Sequence, residues 1–278
     1  MNQYLVGLLG EHISASGSPR MHEQEADAQG LRLIYKLYDF ASLEKKAQDL
    51  GNMLDAAAQM GFAGLNITHP FKRAVLDYLD ELSEGVQSIG AVNTVVFRGG
   101  KKIGYNTDSA GFYKAFLEEL GDCQRNKVLL LGAGGAGSAV AEALMKLSVK
   151  TLFIHDKNYE LSAGLVKKLS GHYGEERIQL MEKIAPEPLA MDGLVNATPV
   201  GMREYPGIPI PEICLHSDLW LSDIIYFPPQ TALLVKAREL ACRNMNGIKM
   251  VVNQAADSFE LFTGHKADHL RMLNSLAN

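Results

Sequence analysis

Lys72 closes the stretch LNITHPFK (65–72), where an amide, a hydroxyl, an imidazole and a proline precede an ammonium group. A lysine in the first turn after Pro70 opposes the helix dipole, so it is either a solvated charge or has another role. Asn93 ends the run SIGAVN, and Asp108 follows GYNT. An ammonium, a carboxylate, amides and hydroxyls suit a small polyhydroxy acid whose hydroxyl proton must be moved. Spacing leaves open whether they converge. Near the N-terminus, Ser16 and Ser18 flank Gly17, and Pro19 opens the helical pattern RMHEQEADAQ. Two readings stand side by side. Ser18 can be an N-cap with proline at N1, worth about 1 kcal/mol; or the two hydroxyls can hold a carboxylate at a helix N-terminus.

A second constellation follows in KVLLLGAGGAGSAVAEALM. An apolar strand runs into Gly132, Gly134 and Gly137 at GxGxxG spacing, and a helix of small residues follows. Gly132 permits the tight turn, Gly134 admits a pyrophosphate to the backbone, and Gly137 lets helix and strand pack closely. Gly135 and Ala136 complete the helix start, which favours an anion. The next strand, TLFIHD, ends at Asp156, about 20 residues past the last glycine, where a carboxylate accepts hydrogen bonds from the adenosine ribose. It would also repel a 2′-phosphate by about 4 kcal/mol per unit charge at 4 Å and an effective dielectric near 20. NAD is therefore expected over NADP. Lys157 next door could instead reach a phosphate, and Asp156 could simply cap the helix that follows.

These residues need a scaffold, and the pattern supplies two. Strand-like runs at 4–10, 33–40, 62–68, 91–97 and 102–107 alternate with helical patterns at 43–60 and 70–82. After a helix near 109–121, a second series begins with KVLLLG and continues through TLFIHD, GLVNATP and LSDIIY, and the tail from 249 returns to helix. Such alternation predicts α/β architecture with largely parallel sheet. The expected division is a substrate domain, 1–107 completed by C-terminal helices 248–278, and a Rossmann domain, 108–247, with a cleft between them.

The 278 residues, 47% hydrophobic and 21% charged, suit a globular protein with a sizeable core. A net charge of −5 without a dense basic block argues against nucleic acid. Cys123, Cys214 and Cys242 fit neither a disulfide framework nor a zinc site, which points to a reducing cytoplasm. The N-terminal apolar run is too short for a signal peptide, and glycines and Glu142 interrupt the longest one, so no membrane span is expected. No second histidine lies at metal-ligand spacing from His155, and no metal is expected. His69, His22 and His12 read as structural.

The order SxSP (16–19), NITHPFK, GAVNTV (90–95), YNTD (105–108), GAGGAG, NATPVGM (196–202) and NQAADSFELFTG (253–264) resembles the shikimate dehydrogenase family. The resemblance spans nearly the whole chain and looks closest to the NAD-preferring quinate/shikimate branch. It implies a place in the shikimate pathway of aromatic amino acid biosynthesis. By it, Lys72 and Asp108 match the catalytic pair, and Ser16 and Ser18 match hydroxyls that take the substrate carboxylate. Thr68, Asn93 and Gln254 match other substrate contacts, and Tyr226 matches a tyrosine near the carboxylate. The loop bearing Asn196, Thr198 and Met202 matches the segment along the nicotinamide. Two departures stand out. His12 and Ala15 occupy places where proline and histidine are common, and HDKN replaces the Asn-Arg-Thr/Ser cluster that grips the NADP phosphate in many biosynthetic members.

The expected reaction is reversible oxidation of the ring C3 alcohol of shikimate or quinate, with Lys72 as general acid/base and Asp108 orienting it. The chain is expected to be a monomer or homodimer. Two alternatives are an enzyme for a modified substrate such as aminoshikimate and a regulatory protein that senses NAD or pathway metabolites without turnover.

Overall fold

The computed structural model describes residues 3–277. The chain divides into two compact units: one runs to Asp108 and resumes at Val252, and the other is Ser109–Val251. Both divisions fall inside continuous helices, where no loop or composition shift marks them.

The first unit contains β1 (Gln3–Gly10), α1 (Ser18–Ala28), β2 (Arg32–Asp39), α2 (Leu50–Gln59) and β3 (Gly64–Ile67). Then come β4 (Glu81–Leu82), α3 (Val86–Ile89), β5 (Thr94–Arg98), β6 (Lys101–Tyr105) and the start of α4 (Thr107–Leu120). The sheet order is β2-β1-β3-β5-β6-β4. β1 is parallel to β2 and β3, whereas β5 is antiparallel to both β3 and β6. β4 is parallel to β6, so the sheet is largely parallel, as expected, with β5 running against its neighbours. The cause lies in FRGGKK, where Gly99 and Gly100 take φ +60° and +77°. Two consecutive positive-φ residues make a tight hairpin, which joins only antiparallel strands.

β3 is buried along its whole length. A Cβ on Gly64 would come 2.3 Å from the Val95 carbonyl and 2.5 Å from the Phe262 ring, so only glycine lets the C-terminal helix press against the sheet. That helix, α8 (Ile248–Thr263), buries Val252, Ala255, Ala256, Phe259 and Phe262 along one stripe, and α9 (His269–Ala277) follows. Across the sheet, α2 buries Leu50, Leu54 and Ala57 at helical spacing, beside Phe40, Phe71 and Val95. Arg271 of α9 is fastened to α1: its Nε and Nη2 donate to the two oxygens of wholly buried Glu25 at 2.6 and 3.1 Å. Burial would raise the Glu25 pKa, but Arg271, the Asp268 N–H and Gln29 hold the carboxyl below its ordinary range.

Two helices are shorter than their patterns suggest. The 43–60 pattern becomes a 3₁₀ turn, Ala47–Asp49, followed by α2. The 70–82 pattern is not an α-helix: it holds a turn, a 3₁₀ helix at Ala74–Tyr78 and the short β4. The Lys72 carbonyl accepts the Val92 N–H at 2.8 Å, so it is spent on a tertiary bond instead of a helical ladder.

The second unit is uniformly parallel. It comprises β7 (Lys127–Leu131), α5 (Gly135–Lys146), β8 (Thr151–His155), α6 (Tyr159–Tyr173) and β9 (Ile178–Leu180). It continues with β10 (Gly193–Asn196), β11 (Trp220–Asp223), α7 (Ala232–Glu239) and β12 (Asn244–Met245). The order β12-β11-β10-β7-β8-β9 is that of a doubly wound dinucleotide-binding sheet. Its direction reverses between β7 and β10, and ligands of such sheets bind outside the strand ends at that point. Val128 and Leu130 point into one core, and Leu129 and Leu131 into the other. Among the described residues no helix is long and apolar enough to cross a membrane.

Candidate active site

In the first unit, topology brings together residues far apart in sequence. Lys72 Nζ lies 2.5 Å from Asp108 Oδ2, with side chains 16% and 9% exposed. Asn93 Nδ2 holds the other oxygen, Asp108 Oδ1, at 2.9 Å. Asn93 is itself fixed: its Oδ1 accepts the Thr107 N–H at 2.8 Å and the Thr94 hydroxyl at 3.1 Å, and its Nδ2 also donates to Thr107 Oγ1 at 2.9 Å. Gln254 Oε1, on α8, stands 3.5 Å from Asn93 Nδ2 and 3.4 Å from Thr107 Oγ1. So Lys72, Asp108, Asn93 and Gln254 form one group.

Beneath them lies a buried layer whose members Asn66, Thr94 and Ser258, though within NITHPFK, GAVNTV and NQAADSFELFTG, gave no sign in the sequence of meeting. Asn66 Nδ2 donates to Thr94 Oγ1 and Ser258 Oγ, each at 3.0 Å, and its Oδ1 accepts the Tyr35 hydroxyl at 2.8 Å. Thr94 and Ser258 are wholly buried. A buried polar layer is stable only when its members are bonded, and once bonded it is rigid. Single serines and threonines give no periodic signal.

Ser16 and Ser18 come together on the α1 side, their hydroxyls 3.1 Å apart. The N-cap of α1 is Gly17, not Ser18, and Ser16 Oγ accepts the Ser18 N–H at 3.2 Å. Ser18 lies one position inside the helix because Ser16 already occupies its N–H. Asp39, unnoticed in the sequence, holds the preceding loop: its oxygens accept the His12 and Ile13 N–H groups, each at 3.0 Å. Desolvation would raise the Asp39 pKa, but these N–H groups with those of Ser42 and Ala41 hold it below its usual value. Thr68 follows β3, its N–H bonded to the Leu9 carbonyl at 3.0 Å.

In the second unit the glycine turn has the shape its sequence implies. Gly132 takes φ +96°. A Cβ on Gly137 would lie 2.0 Å from the Gly132 carbonyl, whereas one on Gly134 would meet nothing within 4 Å. Gly137 is thus needed for packing, and Gly134 leaves its backbone open to a ligand. Gly135 and Ala136 form the first turn of α5, whose N–H groups point along the axis. This cradle fits a dinucleotide pyrophosphate. Asp156 follows β8 and binds the turn directly: Oδ2 accepts the Ala133 N–H at 2.7 Å and Oδ1 the Asn158 N–H at 2.8 Å. A carboxylate has about four acceptor positions, so two remain. Asn158, rather than Asp156, caps α6, accepting the Glu160 N–H at 3.1 Å. Lys157 is exposed.

Asn196 ends β10 wholly buried and shapes the loop after it, accepting the Thr198 N–H and hydroxyl at 3.0 and 2.7 Å. Met202, further along, is 37% exposed, as is Tyr226 beyond β11. Asp223, at the end of β11, was unmarked in the sequence. Burial pushes its pKa up to about 6, against the opposing bonds from Thr231, the Ile225 N–H and Asn196. Among the described residues no three His, Cys, Asp or Glu side chains form a group that could hold a metal ion.

Family models match three stretches of the chain. The shikimate dehydrogenase substrate binding domain matches residues 8–95, the shikimate/quinate 5-dehydrogenase model 115–198, and the shikimate 5′-dehydrogenase C-terminal domain 247–276. The shikimate dehydrogenase (NADP(+)) of Streptomyces avermitilis is 44% identical over 281 residues, covering 99% of this chain and 96% of that protein. The quinate/shikimate dehydrogenase (NAD(+)) of Corynebacterium glutamicum is 42% identical over 271 residues, 96% of each chain. The solved structure of the quinate dehydrogenase from Corynebacterium glutamicum in complex with NAD superposes with TM-score 0.92 at 40% identity, covering 100% of this chain and 99% of that one. The chain belongs to the shikimate dehydrogenase family and is an oxidoreductase of the shikimate/quinate dehydrogenase type.

Proposed function

We propose that this protein oxidises the C3 alcohol of shikimate or quinate reversibly, with Lys72 as general acid/base and NAD as the preferred cofactor. The observation that carries the reading is the Lys72–Asp108 ion pair held from its far side by Asn93. A lysine amino group has three hydrogen positions, and Asp108 occupies one. The others can face a ring hydroxyl. In oxidation the Lys72 amine takes the hydroxyl proton; in reduction its ammonium returns it. Asp108 orients Lys72, and Asn93 keeps Asp108 from turning. General acid–base help of this kind is worth about 10²–10⁴-fold. A bound nicotinamide dinucleotide supplies the hydride acceptor.

Ser16 and Ser18, already in contact, offer hydroxyls to the substrate carboxylate, with Tyr226 as a third donor. Thr68, Asn93 and Gln254 are assigned to ring hydroxyls. Support for NAD comes from Asp156, whose two unfilled acceptor positions suit a ribose diol and whose charge opposes a 2′-phosphate. The relatives divide on this point, with NADP(+) named for the Streptomyces protein and NAD(+) for the Corynebacterium one. The deciding experiment is kcat/KM for shikimate and quinate, each with NAD and NADP. Turnover of neither acid would overturn the assigned reaction, and higher kcat/KM with NADP would overturn the cofactor preference.

A further inference from the structure

Asp223 gathers three segments of the second unit on one buried carboxylate. Oδ1 accepts from Asn196 Nδ2 and from the Ile225 N–H, each at 3.1 Å; Oδ2 accepts from Thr231 Oγ1 at 2.7 Å. Asn196 leads into the 196–202 loop, Ile225 precedes Tyr226, and Thr231 is the N-cap of α7, where its hydroxyl also accepts the Leu234 N–H. The constraint passes outward through Asn196. Its Nδ2 donates to the Val200 carbonyl at 2.9 Å, and its Oδ1 accepts from Thr198. Thr198 Oγ1 in turn accepts the Val200 N–H at 3.2 Å. Gly201 packs on the same centre: a Cβ there would lie 3.2 Å from Thr231 Cβ. A second, exposed tie joins the two loops, with the Arg203 guanidinium 4.7 Å from the Phe227 ring centre.

An amide side chain can be turned over with little change of shape, exchanging donor and acceptor. A carboxylate accepts only. The Val200 carbonyl can only accept and the Thr198 N–H can only donate, so these two set the Asn196 amide, and Asp223 adds a further acceptor for Nδ2 in the same sense. A neutral amide at 223 would offer one acceptor oxygen in place of two to Asn196 Nδ2, the Ile225 N–H and the Thr231 hydroxyl, and so would loosen the tie among the three segments. Burying a carboxylate is costly unless it is bonded, so its presence in a wholly buried position indicates a gain elsewhere.

We propose that Asp223 is a positioning residue for cofactor binding: it ties Asn196, and through it the 196–202 backbone, to the turn that carries Tyr226 and to the start of α7. This rests on the reading that the 196–202 loop runs along the nicotinamide.

The test uses Asp223→Asn, Thr231→Val and Thr231→Ser in the full chain. Amide exchange is measured without cofactor, NAD dissociation constants by fluorescence titration, and kcat and KM by steady-state kinetics. For Asp223→Asn, Thr198 and Val200 should exchange at least tenfold faster while β7 and β8 stay protected. The NAD dissociation constant should rise fivefold or more, with kcat at saturating NAD within threefold of wild type. Thr231→Val should shift both in the same direction by a smaller factor, and Thr231→Ser should restore them. Exchange and NAD affinity within twofold of wild type in Asp223→Asn would overturn the proposal. If that variant does not fold, the same result in Thr231→Val would overturn it. So would faster exchange spread evenly over the sheet, which marks a purely structural role. Wild-type protein inactive on both acids would sink the proposed reaction instead and leave the exchange result standing.

Discussion

Lys72 and Asp108 are 36 residues apart in the chain and 2.5 Å apart in space, and Asn93 grips the carboxylate from the opposite side. An ion pair with both members mostly buried tolerates the loss of neither cheaply, since the survivor is left unpaired at about 3–5 kcal/mol.

Lys72→Ala should therefore lower kcat by about 10²–10⁴-fold while the KM for the ring acid moves far less. Steady-state kinetics at saturating cofactor make the separation. An unchanged kcat would remove Lys72 from the chemistry.

Gly134 and Gly137 of the cofactor turn should respond differently to one methyl group. Gly134→Ala adds a Cβ that meets nothing within 4 Å, so the melting temperature should hold while dinucleotide affinity drops. Gly137→Ala drives its Cβ to 2.0 Å from the Gly132 carbonyl, and overpacking of this kind costs about 1–3 kcal/mol in stability. Calorimetry and a binding titration on both variants check the contrast.

Asp156→Ser should raise the NADP/NAD ratio of kcat/KM tenfold or more, equivalent to about 1.4 kcal/mol. The Ala133 N–H would lose its carboxylate partner in the same variant, so NAD use should weaken as well. A ratio that stays where it was would take the carboxylate out of cofactor discrimination.

His22 is wholly buried, its ring centre 4.8 Å from that of Tyr35 and about 6 Å from those of Phe259 and Phe262. Burial lowers its pKa to about 3. Below its ordinary pKa of 6.5 the unfolded chain takes up a proton that the folded chain refuses until about pH 3. Stability is therefore fully present above pH 6.5 and falls by about 1.4 kcal/mol per unit as the pH drops. Between pH 7 and pH 5 wild type should lose about 2 kcal/mol more than His22→Phe. Urea unfolding of both at the two pH values measures it, and parallel losses would show that His22 does not titrate in this way.

What the sequence disclosed was local. GAGGAG between an apolar strand and a small-residue helix specified a cofactor turn because each glycine answers a steric demand within a few residues. Lys72 and Asp108 were recognisable as reactive types, but their meeting depends on β3, β5 and β6 lying side by side, which neither segment encodes alone. Proline at position 70 suggested an α-helix over 70–82; the bond from Val92 N–H to the Lys72 carbonyl, a tertiary event, decided otherwise. The antiparallel turn at Gly99–Gly100 was legible and overlooked. Asn66, Thr94 and Ser258 lie within NITHPFK, GAVNTV and NQAADSFELFTG, but their joining in one buried layer was not legible, since isolated small polar residues announce such a layer only when three elements meet. Asp223 was hidden for the same reason.

The first unit is completed by residues from Val252 onward, which follow the whole of the middle unit in the chain. A ribosome that has just added residue 251 has therefore made every residue of the middle unit, whereas Asn66 and Thr94 still await the Ser258 hydroxyl. Assembly should follow that order. Nascent chains stalled past residue 251 should yield a protease-resistant middle fragment before the N-terminal segment becomes resistant, and simultaneous resistance of both would contradict this sequence of events.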